Sequence, residues 1–274
     1  GWAVLRDWLP DANAASGRLT GVVGGWLFLY DGAMSYSAAF HDGAIDLFDV
    51  KAESIAAVRD DLAYATLGSE PWLAWWNGST WSPYAGPAVP FPVHVVWADE
   101  ASIFCAGDGG IVLSLEDGEW VVHGTGTLGG IWAMGGSSAT DLWAGTDSGQ
   151  ILHFDGSAWS VTAWPGLTPL GADCNSVGIR EIWAAEGEAF FATERELLHW
   201  DGASFETLAC WPAEEWVTSV GGSPICAVGT SIDAIWGNSP EEVFVAISQE
   251  FMGSDRALGN HRILWWDGGE FHLM

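Results

Sequence analysis

Apolar residues in this chain fall in short runs broken by Gly, Asp, Asn or Ser, without the three-to-four-residue rhythm of a helix face. Runs of this length, rich in Val, Ile, Trp and Phe, read as β-strands. Six of them end at a turn: Trp26–Tyr30, Trp72–Trp76, Ile111–Leu115, Ile151–Phe154, Leu197–Trp200 and Ile263–Trp266. The turns follow at Asp31, Asn77, Glu116-Asp117, Asp155, Asp201 and Asp267, most of them directly before Gly. Asp-Gly and Asn-Gly between β-rich runs are a strong hairpin signal, because both residues tolerate positive φ. Beyond each turn a further strand is marked by Tyr36, Trp81, Trp120, Trp159, Phe205 and Phe271.

Two more strands precede each turn. The first carries an aromatic column at Trp2, Phe48, Trp97, Trp132, Trp183 and Trp236; the second carries a small-residue column at Val23, Ala65, Ala106, Ala144, Ala192 and Ala246. The unit strand–strand–strand–turn–strand thus recurs six times, at a period of roughly 40–50 residues. Such a unit cannot bury both of its faces alone and must stack on its copies. The expectation is an all-β chain forming a single domain over 1–274, a six-bladed β-propeller of four-stranded antiparallel blades. The blades fall at about 1–40, 41–88, 89–126, 127–165, 176–210 and 230–274. Small residues suit the closest approach of neighbouring sheets, and large rings fill the wedge that widens away from the axis.

One repeat is clearest: Gly130-Ile131-Trp132-Ala133, then Asp141-Leu142-Trp143-Ala144, then Ile151-Leu152-His153-Phe154-Asp155-Gly156, closing on Trp159. It resembles the Trp-rich β-propeller repeats of secreted bacterial proteins and lipoproteins. Glu181–Phe205 and Ile235–Phe271 follow the same pattern with substitutions, whereas the first two copies match only at the columns. A looser similarity connects the Asp-Gly turns to Asp-box propellers, but Gly156 follows Asp155 at once and Trp159 arrives one position early. The resemblance implies a propeller that acts as a binding or adhesion module.

Charge narrows the partner class. Thirty-six acidic residues face eight Lys plus Arg, a net charge of −28. Such a surface repels phosphate backbones, so no nucleic-acid partner is expected. No apolar run reaches the length of a helical membrane span, so no membrane insertion is expected. Four cysteines, Cys105, Cys174, Cys210 and Cys226, form no CxxC pair, which argues against a zinc site. Cys210 and Cys226 bracket one long segment as a disulfide ring, with Cys174 as an alternative partner. Together with a near absence of Lys, this points to an extracellular or periplasmic protein whose leader has been removed.

Function is expected where the repeat is interrupted. The insertions 164–180, 210–231 and 249–261 all belong to one face, and long loops on a rigid scaffold carry recognition. They supply Trp164, Trp211, Trp216, Glu214, Asp255 and Asn260 as candidate ligand-binding residues. Trp beside carboxylates and amides suits the stacking of a sugar ring, and half-buried Trp capping the blade ends is the plainer alternative. The leading expectation is a secreted, non-enzymatic propeller that binds a glycan or a protein partner. The alternatives are a subunit docked permanently in a larger assembly, or a carbohydrate-active enzyme whose carboxylates converge in the axial cleft. His153 and His199 share a strand position that also accepts Trp75, Ser114 and Trp265, so they read as structural. The tips Gly107-Asp108-Gly109 and Thr146-Asp147-Ser148 have calcium-ligand chemistry but lack the spacing of a dedicated loop. No cofactor is expected; a structural calcium at such tips is the one metal left open.

Overall fold

A computed structural model describes residues 52–162, 178–210, 231–248 and 262–274 in full. Within 17–48, 214–230 and 249–261 it describes the backbone of the strands alone. The chain divides into two compact units, Gly1–Gly86 and Pro87–Met274.

In the first unit, β1 (Gly17–Val23), β2 (Trp26–Asp31), β3 (Ser37–His41) and β4 (Ala44–Phe48) form one antiparallel sheet in chain order. A second sheet holds β5 (Ser54–Arg59), β6 (Leu62–Thr66), β7 (Leu73–Trp76) and β8 (Trp81–Pro83). In the second unit, blade three is β9 (Val93–Ala98), β10 (Ile103–Gly107), β11 (Ile111–Glu116) and β12 (Glu119–Gly124). Blade four is β13 (Ile131–Ser138), β14 (Asp141–Thr146), β15 (Ile151–Phe154) and β16 (Trp159–Val161). Blade five is β17 (Glu181–Ala185), β18 (Glu188–Ala192), β19 (Glu196–Trp200) and β20 (Phe205–Cys210). A terminal sheet follows, with β21 (Glu214–Thr218), β22 (Pro224–Ser239), β23 (Glu242–Met252), β24 (Ala257–Trp266) and β25 (Phe271–Leu273).

The fold is therefore all-β and of propeller type, but among the described residues its four-stranded blades number five, not six. The terminal sheet has five strands because two of the expected loop insertions are themselves β-structure. Residues 210–231 contribute β21 and the first half of β22, and 249–261 lengthen the hairpin of β23 and β24. The run from Ile225 to Ile235 is dense in β-branched residues, which favour a pleated surface over a loop. The first blade is also shifted. Asp31 closes β2 and so precedes the third strand of its sheet, not the fourth. Phe48 lies on β4, opposite Ser37, and not on the first strand of the next blade. Trp2 lies outside the described residues, as does Tyr36.

The first strands of neighbouring blades lie beside one another, β9 with β13, β13 with β17 and β17 with β22, so they are the inner strands. In the second unit the cores form between neighbouring blades. One cluster joins Val95, Phe104 and Val112 of blade three to Ile131, Leu142 and Leu152 of blade four. The next joins Trp143 and Ile151 to Ile179, Phe191 and Leu198 of blade five. A third joins Phe190 and Leu197 to Ile232, Val243 and Val245 of the terminal sheet. Ala65, Ala106, Ala144 and Ala192 are wholly buried, as expected where sheets approach most closely. Extra methylene groups at such positions typically cost about 1–3 kcal/mol. The aromatic column holds in three sheets, where each Trp opposes a ring on the second strand. Trp97 faces Phe104 at 6.0 Å, Trp183 faces Phe190 at 5.8 Å and Trp236 faces Phe244 at 5.5 Å.

The outer turns work differently from the expected pair of positive-φ residues. Among the described residues only Asp117 and Glu186 take positive φ without being glycine. Elsewhere the Asp or Asn side chain holds the turn. Asn77 Oδ1 accepts the N–H groups of Ser79 and Thr80, and Asp155 Oδ1 those of Ser157 and Ala158. Asp201 and Asp267 repeat the arrangement. The Ser157 hydroxyl and the Ala158 N–H hold the Asp155 carboxyl down at about 2. The Glu270 N–H and His272 do the same for Asp267, also to about 2.

Candidate functional site

Of the residues singled out in the insertions, Trp164, Trp211 and Asp255 lie outside the described residues. Glu214 and Trp216 are on β21 and Asn260 is on β24, opposite Gln249; nothing of their side chains is described. Cys226 is in the same position, on β22 opposite Trp216, so the Cys210–Cys226 ring also lies outside the described side chains. Cys105 is a free thiol, fully buried, and burial pushes its pKa far up. That makes it a packing residue.

A different place stands out, at the end of the inner strands where the second strand of each blade turns into the third. Three inner strands carry a β-bulge there. Ala106 and Gly107 oppose Val95 and Val93, which leaves His94 as the extra residue. Gly145 and Thr146 oppose Ala133 and Ile131, which leaves Trp132 extra. Ala246 and Ile247 oppose Ala234 and Ile232, which leaves Asp233 extra. A bulge re-aims the side chain it inserts, and bulges are common beside functional sites. Asp233 is spent locally, since Ser231 and Ser248 donate hydroxyl hydrogen bonds to it at 3.2 and 2.9 Å.

His94 and Trp132 belong to adjacent blades, and their rings stack with centroids 3.9 Å apart and planes 10° apart. The β10–β11 turn brings Asp108 to the same point. Its N–H donates to Pro92 O, an approach only glycine at 107 permits, because a Cβ there would lie 1.9 Å from that oxygen. Asp108 Oδ1 lies 3.1 Å from His94 Nε2. From the next blade, the β14–β15 turn presents Asp147, whose N–H donates to Gly130 O at 2.9 Å. The two carboxylates converge over Gly130: a Cβ on that glycine would lie 3.1 Å from Asp108 Oδ1, 3.6 Å from Asp147 Oδ2 and 3.0 Å from Trp132 Nε1.

The segment 125–130 runs through this place and is held by its own hydrogen bonds. Thr125 donates to Gly110 O, Thr127 donates to Gln150 Oε1, and Gly129 N–H donates to Thr127 Oγ1. Between those anchors Leu128 stands 91% exposed, the most exposed large apolar residue described. Asp147 makes no side-chain hydrogen bond or ion pair among the described residues, and the Trp132 indole N–H likewise has no acceptor. Among the described residues, no basic side chain apart from His94 reaches Asp108. Arg180, exposed at the start of the next inner strand, pairs with neither carboxylate. This junction of blades three and four thus offers two anionic acceptors, a donor with no acceptor among the described residues, an aromatic ring and a projecting leucine.

The other ionisable clusters have structural explanations. His153 stacks on Trp143 at 4.1 Å and bonds Asp141 at 2.8 Å; His199 stacks on Phe190 at 4.4 Å and bonds Glu188 and Glu206. Both are tied between the second and third strands of a blade, the packing role their position implied. Asp267, Glu270 and His272 are the one grouping of three metal-ligating side chains among the described residues. They sit on an exposed turn whose carboxylate is already engaged by backbone N–H groups and by His272 at 2.7 Å.

Sequence reasoning passed over His94 and Leu128, treated Asp108 and Asp147 as separate loop tips, and placed Trp132 in the packing column. One signal was available. Trp97 and Trp183 each precede their small-column Ala by nine positions, whereas Trp132 precedes Ala144 by twelve, so Trp132 is out of phase.

No family of known sequences matches the chain, and no curated protein does. Its fold does have solved counterparts. It resembles the WD40 β-propeller domain of Doa1 with a TM-score of 0.61 at 9% identity, over 92% of this chain and 90% of that one. It resembles the WD40 repeats of RRP9 with a TM-score of 0.59 at 14% identity, over 92% and 77%. It also resembles YCF48, solved with a D1 peptide bound, with a TM-score of 0.54 at 11% identity, over 92% and 90%. At such identities the likeness is one of fold. The resemblance to Trp-rich secreted propellers rests on the repeat pattern alone.

Proposed function

We propose that this chain is a non-catalytic binding propeller that recognises a protein or peptide partner through the cleft between blades three and four. One observation carries the reading: Leu128 is 91% exposed on a segment fixed by three hydrogen bonds, next in the chain to glycines beside which Asp147 and the Trp132 indole N–H have no partner among the described residues. An exposed leucine on a mobile loop means little, but a rigidly presented one beside unspent donors and acceptors is a preorganised contact. A protein partner is favoured over other classes by the likeness in fold to YCF48, which was solved bound to a peptide. The glycan reading would rest on Trp164, Trp211 and Trp216, and a glycan array repeated with Trp211→Ala is its test.

A displayed library of random peptides, selected against the folded chain, tests the proposal. Wild-type protein is expected to enrich a recurrent peptide motif, and Leu128→Asp to lose at least about tenfold in affinity for it. Leu128 is already solvated, so the variant should keep its thermal unfolding midpoint. Failure to enrich any motif, or enrichment indifferent to Leu128→Asp, would overturn the proposal.

A further inference from the structure

We infer that the partner inserts a basic side chain over the Gly129–Gly130 floor, next to an apolar residue that covers Leu128. This rests on the peptide-binding reading above and names the chemistry of its occupant. Asp108 Oδ1 and Asp147 Oδ2 lie 3.1 and 3.6 Å from one point above Gly130, so two negative charges are focused on a single spot. Among the described residues no Lys or Arg pairs with either, and Asp147 has no side-chain partner. Like charges held this close repel, and a cation between them converts that repulsion into two attractions.

The walls fit the same occupant. The Trp132 ring is covered by His94 on one side, and an aromatic face beside carboxylates is a favourable bed for a guanidinium or ammonium group. Gly129 keeps the floor low: a Cβ there would lie 3.1 Å from both Asp147 Oδ1 and Ser148 Oγ. Leu128 adjoins this floor in the chain and is exposed, so it is available to an apolar neighbour of the basic residue. The net charge of −28 acts at longer range, steering a cationic partner toward the surface and speeding encounter at low salt.

The test uses the full chain, labelled with ¹⁵N, and follows the Trp132 indole N–H resonance assigned by its loss in Trp132→Phe. The probes are three short peptides, acetyl-Gly-Leu-X-Gly-amide with X as arginine, lysine or citrulline. Citrulline keeps the shape of arginine and removes its charge. The arginine or lysine peptide should shift the resonance saturably, with a Kd on the order of 1 mM. The citrulline peptide should bind at least about tenfold more weakly, and so should the basic peptide to Asp147→Asn. That substitution breaks no hydrogen bond made within the described residues, so loss of folding cannot imitate the result. Equal binding of citrulline and arginine, or unchanged binding to Asp147→Asn, would overturn the inference. So would the absence of any shift with all three peptides.

The library selection separates the two readings. A selected motif without basic residues that still depends on Leu128 would retain the binding face and refute its cationic occupant. Failure of selection together with silent Trp132 would remove both.

Discussion

Blades four and five carry nearly the same motif, yet their inner-strand tryptophans do different things. In blade five the ladder between β17 and β18 is unbroken, and Trp183 stands opposite Phe190 inside the packing. In blade four β13 carries two bulges opposite β14, and Trp132, the extra residue of one of them, stacks on His94 of the neighbouring blade. The side chains are identical and both are half-buried, so the place along the inner strand decides what each ring meets. A bulge re-aims the residue it inserts.

Substitution of the partners tests that contrast most severely. Phe190 is fully buried against Trp183, and Phe190→Ala should cost about 3–5 kcal/mol in urea unfolding. His94→Ala removes the ring under Trp132 and should cost only about 1 kcal/mol. Equal costs at the two places would show that the bulge does not separate them. A second comparison is at the β18–β19 turn of blade five. Glu196 is 2% exposed, its Oε2 has no hydrogen-bond partner among the described residues, and burial raises its pKa. A carboxyl with a raised folded pKa loses stability as pH rises through that value. Glu196→Gln is therefore expected to stabilise the protein by about 1 kcal/mol at neutral pH and to have no such effect in acid.

The smallest effect concerns the outer turns. The Asp155 carboxyl is held at about 2 by hydrogen bonds to Ser157 and Ala158, below its unfolded range. Its contribution is complete above the unfolded carboxylate pKa of about 4 and disappears as pH falls through the folded value. Asn77 builds the same turn in blade two without a titrating group. Asp155→Asn should accordingly flatten the dependence of unfolding on pH between about 4 and 2 while keeping the turn. An unchanged acid limb would show that this turn contributes nothing to it.

Much of the fold was legible in the sequence because blades repeat. The turns at Asn77, Asp155, Asp201 and Asp267 and the alanines at 65, 106, 144 and 192 all recur where stacking demands them. The first blade was misread because Asp31 looks like the other turns while following the second strand, a distinction that only pairing makes. The insertion at 210–231 was misread as a loop because an added edge strand has no counterpart in the repeat. The candidate cleft was harder still. Asp108 and Asp147 are far apart in the chain and meet only through the stacking of two blades, and the bulges at His94 and Trp132 leave little trace beyond a spacing that is slightly too long.

The central claim is that a partner docks at the bulged inner end between blades three and four. Amide hydrogen exchange, measured with and without a peptide selected from the library, tests it most directly. The account predicts added protection in 125–132 and 146–149, with the outer turns at 155–158 and 201–204 unchanged. Protection confined to those outer turns, or to the strands of 210–231, would contradict it.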